Sequence, residues 1–534
     1  MKKDFSFYCF NRQITILALT ILVICSAIFP AFAQDEVLSH ASDEITLKIF
    51  HTNDTHANLN SFTATNANGS TEEVGGAARL ITFVNNARAE NKNMLLLSSG
   101  DAFQGTLFFN FFKGIVDLKC MSAARYDAMC PGNHEFDDGI AWMLEALNTV
   151  NFPIVNCNVK FDHKIYPAAK KQIKPYIIKN INGLRIAIIG SITKDLFTVV
   201  DPKNLVGSEL IMPVEALKPI LRKLRPRVDM IILLSHMGLK EDLESAEILP
   251  EIDLIIGGHS HSKCDNPIIV KSSTNKEVIV SQAGEKGEFV GEVTMSYSKS
   301  NRKWRLAGGK LNRLDSKIPK NAEIQKLIDG YDAQIAEQVQ VVIGNTVRAL
   351  IGSRELVRTV ETNLGDMIAD ILMMNAKTDI GIINGGSIRT GIEKGDIKIA
   401  DCINVFPFNS VVTKVTMKGS ILRAAFRLVA QKIADPAKYA KLVKFGGFLQ
   451  VSKGMRVAYK NGEVTELSLN GKSINDYELY TVAMSDFTAS GGDGFSMFAE
   501  VSDKVSSGVK IMDIIIDYVK QTKIIDVDIE GRIK

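Results

Sequence analysis

The stretch Met94-Leu95-Leu96-Leu97-Ser98-Ser99-Gly100-Asp101 is an apolar run that ends abruptly in Gly-Asp. As a buried strand it delivers one carboxylate to its own carboxyl end, where ligand sites collect in open α/β sheets. Four other runs share the pattern. Asp54 and His56 follow the run 45–50, and Asn133 and His134 follow the run 126–130. His236 follows the run 230–234, and His259 and His261 follow the run 252–256. Oxygen and imidazole groups are therefore expected to converge from five strand ends.

Around these runs, strand-like and helical segments alternate from residue 45 to about 315. Residues 76–89 set Ala77, Leu80, Ile81 and Val84 on one helical face, and residues 138–147 behave similarly. The runs 173–178, 184–189, 278–280 and 289–297 are strand-like. The fold class is α/β or α+β in layers. A chain of 534 residues exceeds one ordinary domain. The division expected is 45–320 as a first domain, 321–343 as a linker helix (Ile324, Leu327, Ile328, Tyr331 and Ile335 at helical spacing) and 344–534 as a second domain. The second domain opens with a helix start at Asn363-Leu364-Gly365-Asp366, and the strand 380–383 runs into the turn Asn384-Gly385-Gly386-Ser387-Ile388-Arg389.

The composition, 46% hydrophobic and 23% charged, is that of a globular protein. Net charge is +3, and residues 1–33 hold Lys2, Lys3, Arg12 and Asp4, so the remainder carries about +1. That balance makes no electrostatic case for a nucleic-acid partner. The basic start, the apolar run 14–29 and Ala31-Phe32-Ala33 read as a cleaved export signal over residues 1–33. The run is short for an anchor of ~20 residues. A periplasmic or secreted protein without a stable membrane anchor is expected. Beyond the signal stand Cys120, Cys130, Cys157, Cys264 and Cys402, an odd and widely spaced set that does not describe a disulfide framework.

Divalent ions of borderline hardness accept both carboxylate oxygen and imidazole, so zinc, manganese and iron all suit these ligands. Two such ions about 4 Å apart serve phosphoester hydrolysis. Asp54, His56, Asp101 and His261 are assigned to one ion, and Asp101, Asn133, His236 and His259 to the other, with Asp101 bridging. Alone, each motif has a plainer alternative: a turn with a surface histidine at Asp54-Thr55-His56, a helix cap at Gly100-Asp101, a core histidine at His236. His259, His261 and Cys264 could also hold a structural zinc, but no fourth ligand lies nearby. Five of the eight histidines fall in these motifs, which surface scatter would not be expected to produce. His134, in Gly132-Asn133-His134-Glu135-Phe136-Asp137, is expected to face the phosphoryl group, with Asp137 holding its ring. A zincin is excluded because position 138 is Asp where a second His is needed.

Together the motifs resemble the 5'-nucleotidase family, which includes periplasmic UDP-sugar hydrolases and cell-surface ecto-5'-nucleotidases. The likeness covers nearly all of residues 45–500. Asn53-Asp54-Thr55-His56, Gly100-Asp101, Gly132-Asn133-His134-Glu135 and Gly258-His259-Ser260-His261 look like the motifs of calcineurin-like metallophosphoesterases. Thr362-Asn363-Leu364-Gly365, Asn384-Gly385-Gly386-Ser387-Ile388-Arg389, Pro407-Phe408 and Gly491-Gly492-Asp493-Gly494-Phe495 look like the family's nucleotide-binding domain.

The resemblance implies a two-sheet metallophosphoesterase sandwich with a second α/β nucleotide-binding domain. It implies that Phe408 and Phe487 sandwich the base and that Asp493 accepts hydrogen bonds from the ribose. Arg354, Arg358 and Arg389 would meet the phosphate, Asn384 would join the substrate-binding turn, and the domains would rotate to bring base site and metals together. Two positions depart from the family pattern: His261 stands where many members carry an amide, and Ser387 where a glycine is usual. The activity implied is hydrolysis of nucleoside 5'-monophosphates by an exported enzyme. A 2',3'-cyclic-nucleotide phosphodiesterase with 3'-nucleotidase activity, a UDP-sugar hydrolase and a non-catalytic nucleotide-binding surface protein are the alternatives.

Overall fold

In a computed structural model, the strand Met94–Ser98 lies between Glu44–Thr52 and Ala128–Met129 and runs parallel to both. Leu95, Leu96 and Leu97 are fully buried, as a strand covered on both faces requires. The structure describes residues 44–65, 70–200, 202–408, 410–434 and 445–534; the export signal expected at 1–33 lies outside the described residues.

Five strands of a seven-stranded sheet follow one another in parallel: Glu44–Thr52, Met94–Ser98, Ala128–Met129, Ile154–Val155 and Ile173–Lys174. A six-stranded mixed sheet has the order Ile268–Lys271, Glu277–Ser281, Leu254–Ile256, Met230–His236, Leu184–Ile192, Tyr176–Ile181, with its four inner strands parallel. The sheets meet face to face. At Gly190 a side-chain carbon would fall 1.9 Å from the Val155 carbonyl oxygen, so only glycine permits this approach. Parallel strands end together, and this brings the residues after Thr52, Ser98, Met129, His236 and Ile256 to one edge.

Some runs are shorter or divided relative to the sequence pattern. The run 173–178 is two strands, Ile173–Lys174 and Tyr176–Ile181, in different sheets. Pro175, with no N–H and a fixed φ, separates them. The strand before Asn133 covers only Ala128–Met129. Residues Glu44–Leu47 and Thr294–Ala307 group as a small unit of their own, in which Glu44 accepts from Arg305 and from Ser296 Oγ.

The helix Ala322–Gln338 begins at Asn321, whose side chain accepts from Ile324 N, and the chain re-enters a strand at Val342–Thr346. Further on, a five-stranded sheet has the order Leu449–Val451, Ile380–Asn384, Leu479–Ser485, Val411–Lys418, Lys504–Lys510. Helices Asn363–Ala376, Gly419–Ile433 and Ile511–Thr522 supply apolar faces to the cores of this region. The fold is thus a pair of mixed sheets flanked by helices, joined to a second α/β region. No helix among the described residues is long and apolar enough to cross a membrane.

Candidate metal centre

The loops at the strand ends are stitched to each other by backbone bonds. Asp54 N donates to Gly100 O (2.9 Å), His56 N to Asp101 O (3.0 Å) and Ala57 N to Ala102 O (2.8 Å). Gly100, at φ 85°, lies so close to the neighbouring loop that a side-chain carbon would meet Gly132 N at 2.3 Å. Asp54, His56, Asp101, His259 and His261 all hold left-handed backbone, with φ between 49° and 76°. That conformation is uncommon outside glycine and clusters at functional sites. Here five expected ligands share it.

The side chains meet above these loops. His236 Nε2 is 3.1 Å from Asp101 Oδ2 and 3.2 Å from Asn133 Oδ1. His56 Nε2 is 3.0 Å from His261 Nε2, which is 3.5 Å from Asp54 Oδ1. Donor atoms of Asp54, His56 and His261 form one group within 4.8 Å, and those of Asp101, His236 and His259 form another. A third such group joins His56, Asp101 and His134, so Asp101 sits on the seam between the clusters. Cys264 joins none of these groups, which leaves the structural-zinc alternative without its thiolate.

The electrostatics call for cations. Asp54 and Asp101 are buried carboxylates facing imidazoles. Burial pushes the Asp54 carboxyl up to about 6, with neighbouring Asp101 adding to the rise and His236 opposing it. Burial also opposes ionisation of Asp101, yet His236 and His134 hold it well below the ordinary carboxylate range. His56, desolvated, falls to about 3, so both its nitrogens are available as neutral donors or acceptors. His259 is likewise lowered by burial, to about 4, whereas at His236 burial is outweighed by the buried carboxylates, which raise it to about 10, so the pocket already draws positive charge to Asp54 and Asp101. Buried carboxylates beside imidazole nitrogens are a donor set that divalent ions satisfy. The residues present fit a dimetal centre.

His134 stands at the edge of this set. Its Nδ1 is 2.7 Å from Asp137 Oδ2, and its backbone N donates to Asp101 Oδ1 at 2.9 Å. Burial disfavours its charge, but Asp137 and Asp101 outweigh burial and bring the imidazole to about 9. An imidazolium oriented in this way can donate to a developing oxyanion.

The metal-side residues open into a cleft of about 570 Å³, lined by His56, Asp101, Asn133, His134, His259 and His261, and by Phe408 of the second domain. The other expected substrate residues form their own group. Asn384 Nδ2 donates to Asp493 Oδ2 (2.7 Å), and Asn384 Oδ1 accepts from Ser387 Oγ (2.7 Å). The hydroxyl at the departing position 387 thus braces the turn. Arg358 is buried, and its guanidinium is destabilised by burial and then by Arg354 and Arg389, which places the three arginines together. Arg389 lies over the Phe408 ring at 5.6 Å. Phe487 is about half exposed and packs against Gly492. Arg354, Arg358, Asn384, Arg389, Phe487 and Asp493 do not line the metal cleft in this arrangement.

Two residues without an expected role prove central to the geometry. Buried Glu135 accepts from the backbone N–H groups of Asp101 (2.9 Å), Ala102 (2.8 Å), Phe103 (3.1 Å) and Gly132 (2.5 Å), tying two ligand loops together. Glu285 Oε2 is 3.2 Å from His261 Nδ1. It follows the strand Glu277–Ser281, so the strand-end rule that marks the other loops applies to it as well.

The chain matches the family model for calcineurin-like phosphoesterases over residues 47–263 and that for the 5'-nucleotidase C-terminal domain over residues 342–500. It is 32% identical over 532 residues to the trifunctional nucleotide phosphoesterase protein YfkN of Bacillus subtilis (strain 168), covering 91% of this chain but 35% of that longer one. It is 30% identical over 531 residues to the snake venom 5'-nucleotidase of Crotalus adamanteus, covering 93% and 90% of the two chains. Among solved structures, the 5'-nucleotidase precursor from Thermus thermophilus is 31% identical, with a TM-score of 0.59 over 92% of this chain and 99% of that one.

Proposed function

Because the chain belongs to the 5'-nucleotidase family and is a metal-dependent phosphoester hydrolase, we propose that it is an exported 5'-nucleotidase, releasing nucleoside and phosphate from nucleoside 5'-monophosphates. The observation that carries this is the cleft in which Asp101, between two groups of metal donors, shares one space with the aromatic face of Phe408. A phosphoryl group and a base have partners there of the right chemistry.

The proposed division is a signal over 1–33, a metallophosphoesterase domain over 45–320, a linker over 321–343 and a substrate-binding domain over 344–534. Asp54, His56, Asp101 and His261 hold one divalent ion; Asp101, Asn133, His236 and His259 hold the other. When bound, the two ions neutralise phosphoryl charge and acidify water. Asp137 accepts a hydrogen bond from Nδ1–H of His134 and so turns its Nε2 toward the phosphoryl and leaving-group oxygens. Phe408 and Phe487 grip the base, Asp493 the ribose, and Arg354, Arg358, Arg389 and Asn384 the phosphate end. Since most of these lie outside the metal cleft, productive binding calls for rotation between the domains.

A broader reading, in which the site accepts several nucleotide phosphoesters, draws on the likeness to a relative named trifunctional. One experiment separates the two. Phosphate release from AMP, UDP-glucose and 2',3'-cyclic AMP is measured side by side on the metal-loaded protein. AMP is expected to lead in kcat/KM, and preference for the cyclic ester or the sugar nucleotide would overturn the 5'-monophosphate assignment.

A further inference from the structure

Three of the imidazoles assigned to the ions, His56, His236 and His261, bring Nε2 to the buried Asp54–Asp101 pair, and their Nδ1 atoms are held in two different ways. His56 Nδ1 faces the Phe103 carbonyl (3.3 Å) and His236 Nδ1 the Ser99 carbonyl (2.5 Å), both buried backbone acceptors. His261 has a carboxylate instead, Glu285 Oε2 at 3.2 Å. The His261 side chain is also 39% exposed, whereas that of His236 is fully enclosed. Packing that fixes His236 does not fix His261.

The loop carrying Glu285 is built onto the segment that carries Asp54. Asn53 Nδ2 donates to Gly284 O (2.7 Å), Asn53 Oδ1 accepts from Ala283 N (2.8 Å), and Lys286 N donates to Asp54 O (2.7 Å). Gly284 N donates to Ser262 O (3.0 Å), joining the same loop to the residue after His261. Lys286 holds left-handed backbone at φ 57°, and its Nζ lies 3.3 Å from Glu285 Oε1, which leaves Oε2 to His261. Glu285 is therefore set in register with both Asp54 and His261.

We propose that Glu285 is a positioning residue for the dimetal centre: by accepting Nδ1–H of His261 it fixes the tautomer and ring orientation that presents Nε2 beside His56 Nε2 and Asp54 Oδ1. A carboxylate at this position also makes the imidazole a stronger donor. The ion held by Asp54, His56 and His261 thus depends on an exposed carboxylate, and the ion held with His236 does not. The inference rests on the ligand assignment proposed above.

The test uses the full chain loaded with Zn²⁺ and dialysed against graded free Zn²⁺ set by a chelator buffer, with retained zinc counted by elemental analysis. Glu285→Ala is expected to release one of two ions at roughly tenfold or higher free zinc, with the other unmoved. Glu285→Gln, which keeps an acceptor without charge, should fall between Ala and the parent. In a His261→Asn background the Ala substitution should add nothing, because no Nδ1–H is left to hold. Release of both ions together as in the parent, or an undiminished effect in the His261→Asn background, overturns the proposal. A parent chain that retains fewer than two ions overturns the ligand assignment itself, and the proposal with it.

Discussion

His134 Nδ1 and Asp137 Oδ2 are 2.7 Å apart, three residues apart on a single 3₁₀ turn beside Asn133. The pair is thus set by local backbone, while the Asp101 carboxylate reached by His134 N comes from a different strand. Asp137→Asn keeps the shape but removes the charged acceptor. We expect kcat to fall about 10²-fold with bound metal unchanged, and His134→Asn to fall at least as far. Steady-state kinetics and metal counts on both variants check this; metal lost from His134→Asn would make the histidine a ligand instead.

Asp101 belongs to two of the three donor groups and is buried. Asp101→Asn should abolish turnover and reduce bound metal below two ions per chain. Elemental analysis decides, and a fully active variant would refute the bridging role. Chelation of the parent should lower its melting temperature, since ions that bind only the folded chain stabilise it by mass action.

Phe487 is about half exposed, so its ring contributes little to the core and is free to stack. Phe487→Ala should raise KM for AMP several-fold, in keeping with about 1 kcal/mol for an aromatic contact, and spare p-nitrophenyl phosphate. Equal losses on both substrates would assign the ring to folding.

Arg532 is 1% exposed and forms a forked pair with Asp370, both contacts at 2.9 Å, while donating to the Val451 carbonyl at 3.0 Å. It also lies 3.5 Å from the enclosed Asp366. Arg532→Met leaves Asp370 without its counter-charge and the Val451 carbonyl without its donor, and a loss of about 3 kcal/mol is expected. Urea unfolding monitored by circular dichroism measures it; a change under about 1 kcal/mol would show that the Arg532–Asp370 pair is dispensable to the fold.

Local pattern in the chain determined a good deal. The apolar runs ending in Gly-Asp, Asn-His or His-Ser-His identify strands and place their polar residues at one edge, because parallel strands share a carboxyl end. The 3.6-residue spacing of Ile324, Ile328 and Ile335 likewise gives a helix, since one buried face must recur at that period. Other features were decided only in three dimensions. Which sheet a short run joins is set by its partner strands: before Pro175 the chain pairs with Ile154–Val155, and after it with Leu184–Ile192 in the other sheet. Glu135 lies in a motif whose sequence says nothing of the four N–H groups it gathers. His261 and Glu285 are 24 positions apart and meet only because Asn53, from a third loop, ties the segment 283–286 beside Asp54. A hydrogen bond depends on distance and angle between atoms, and residues remote in sequence acquire both only when the sheets have paired.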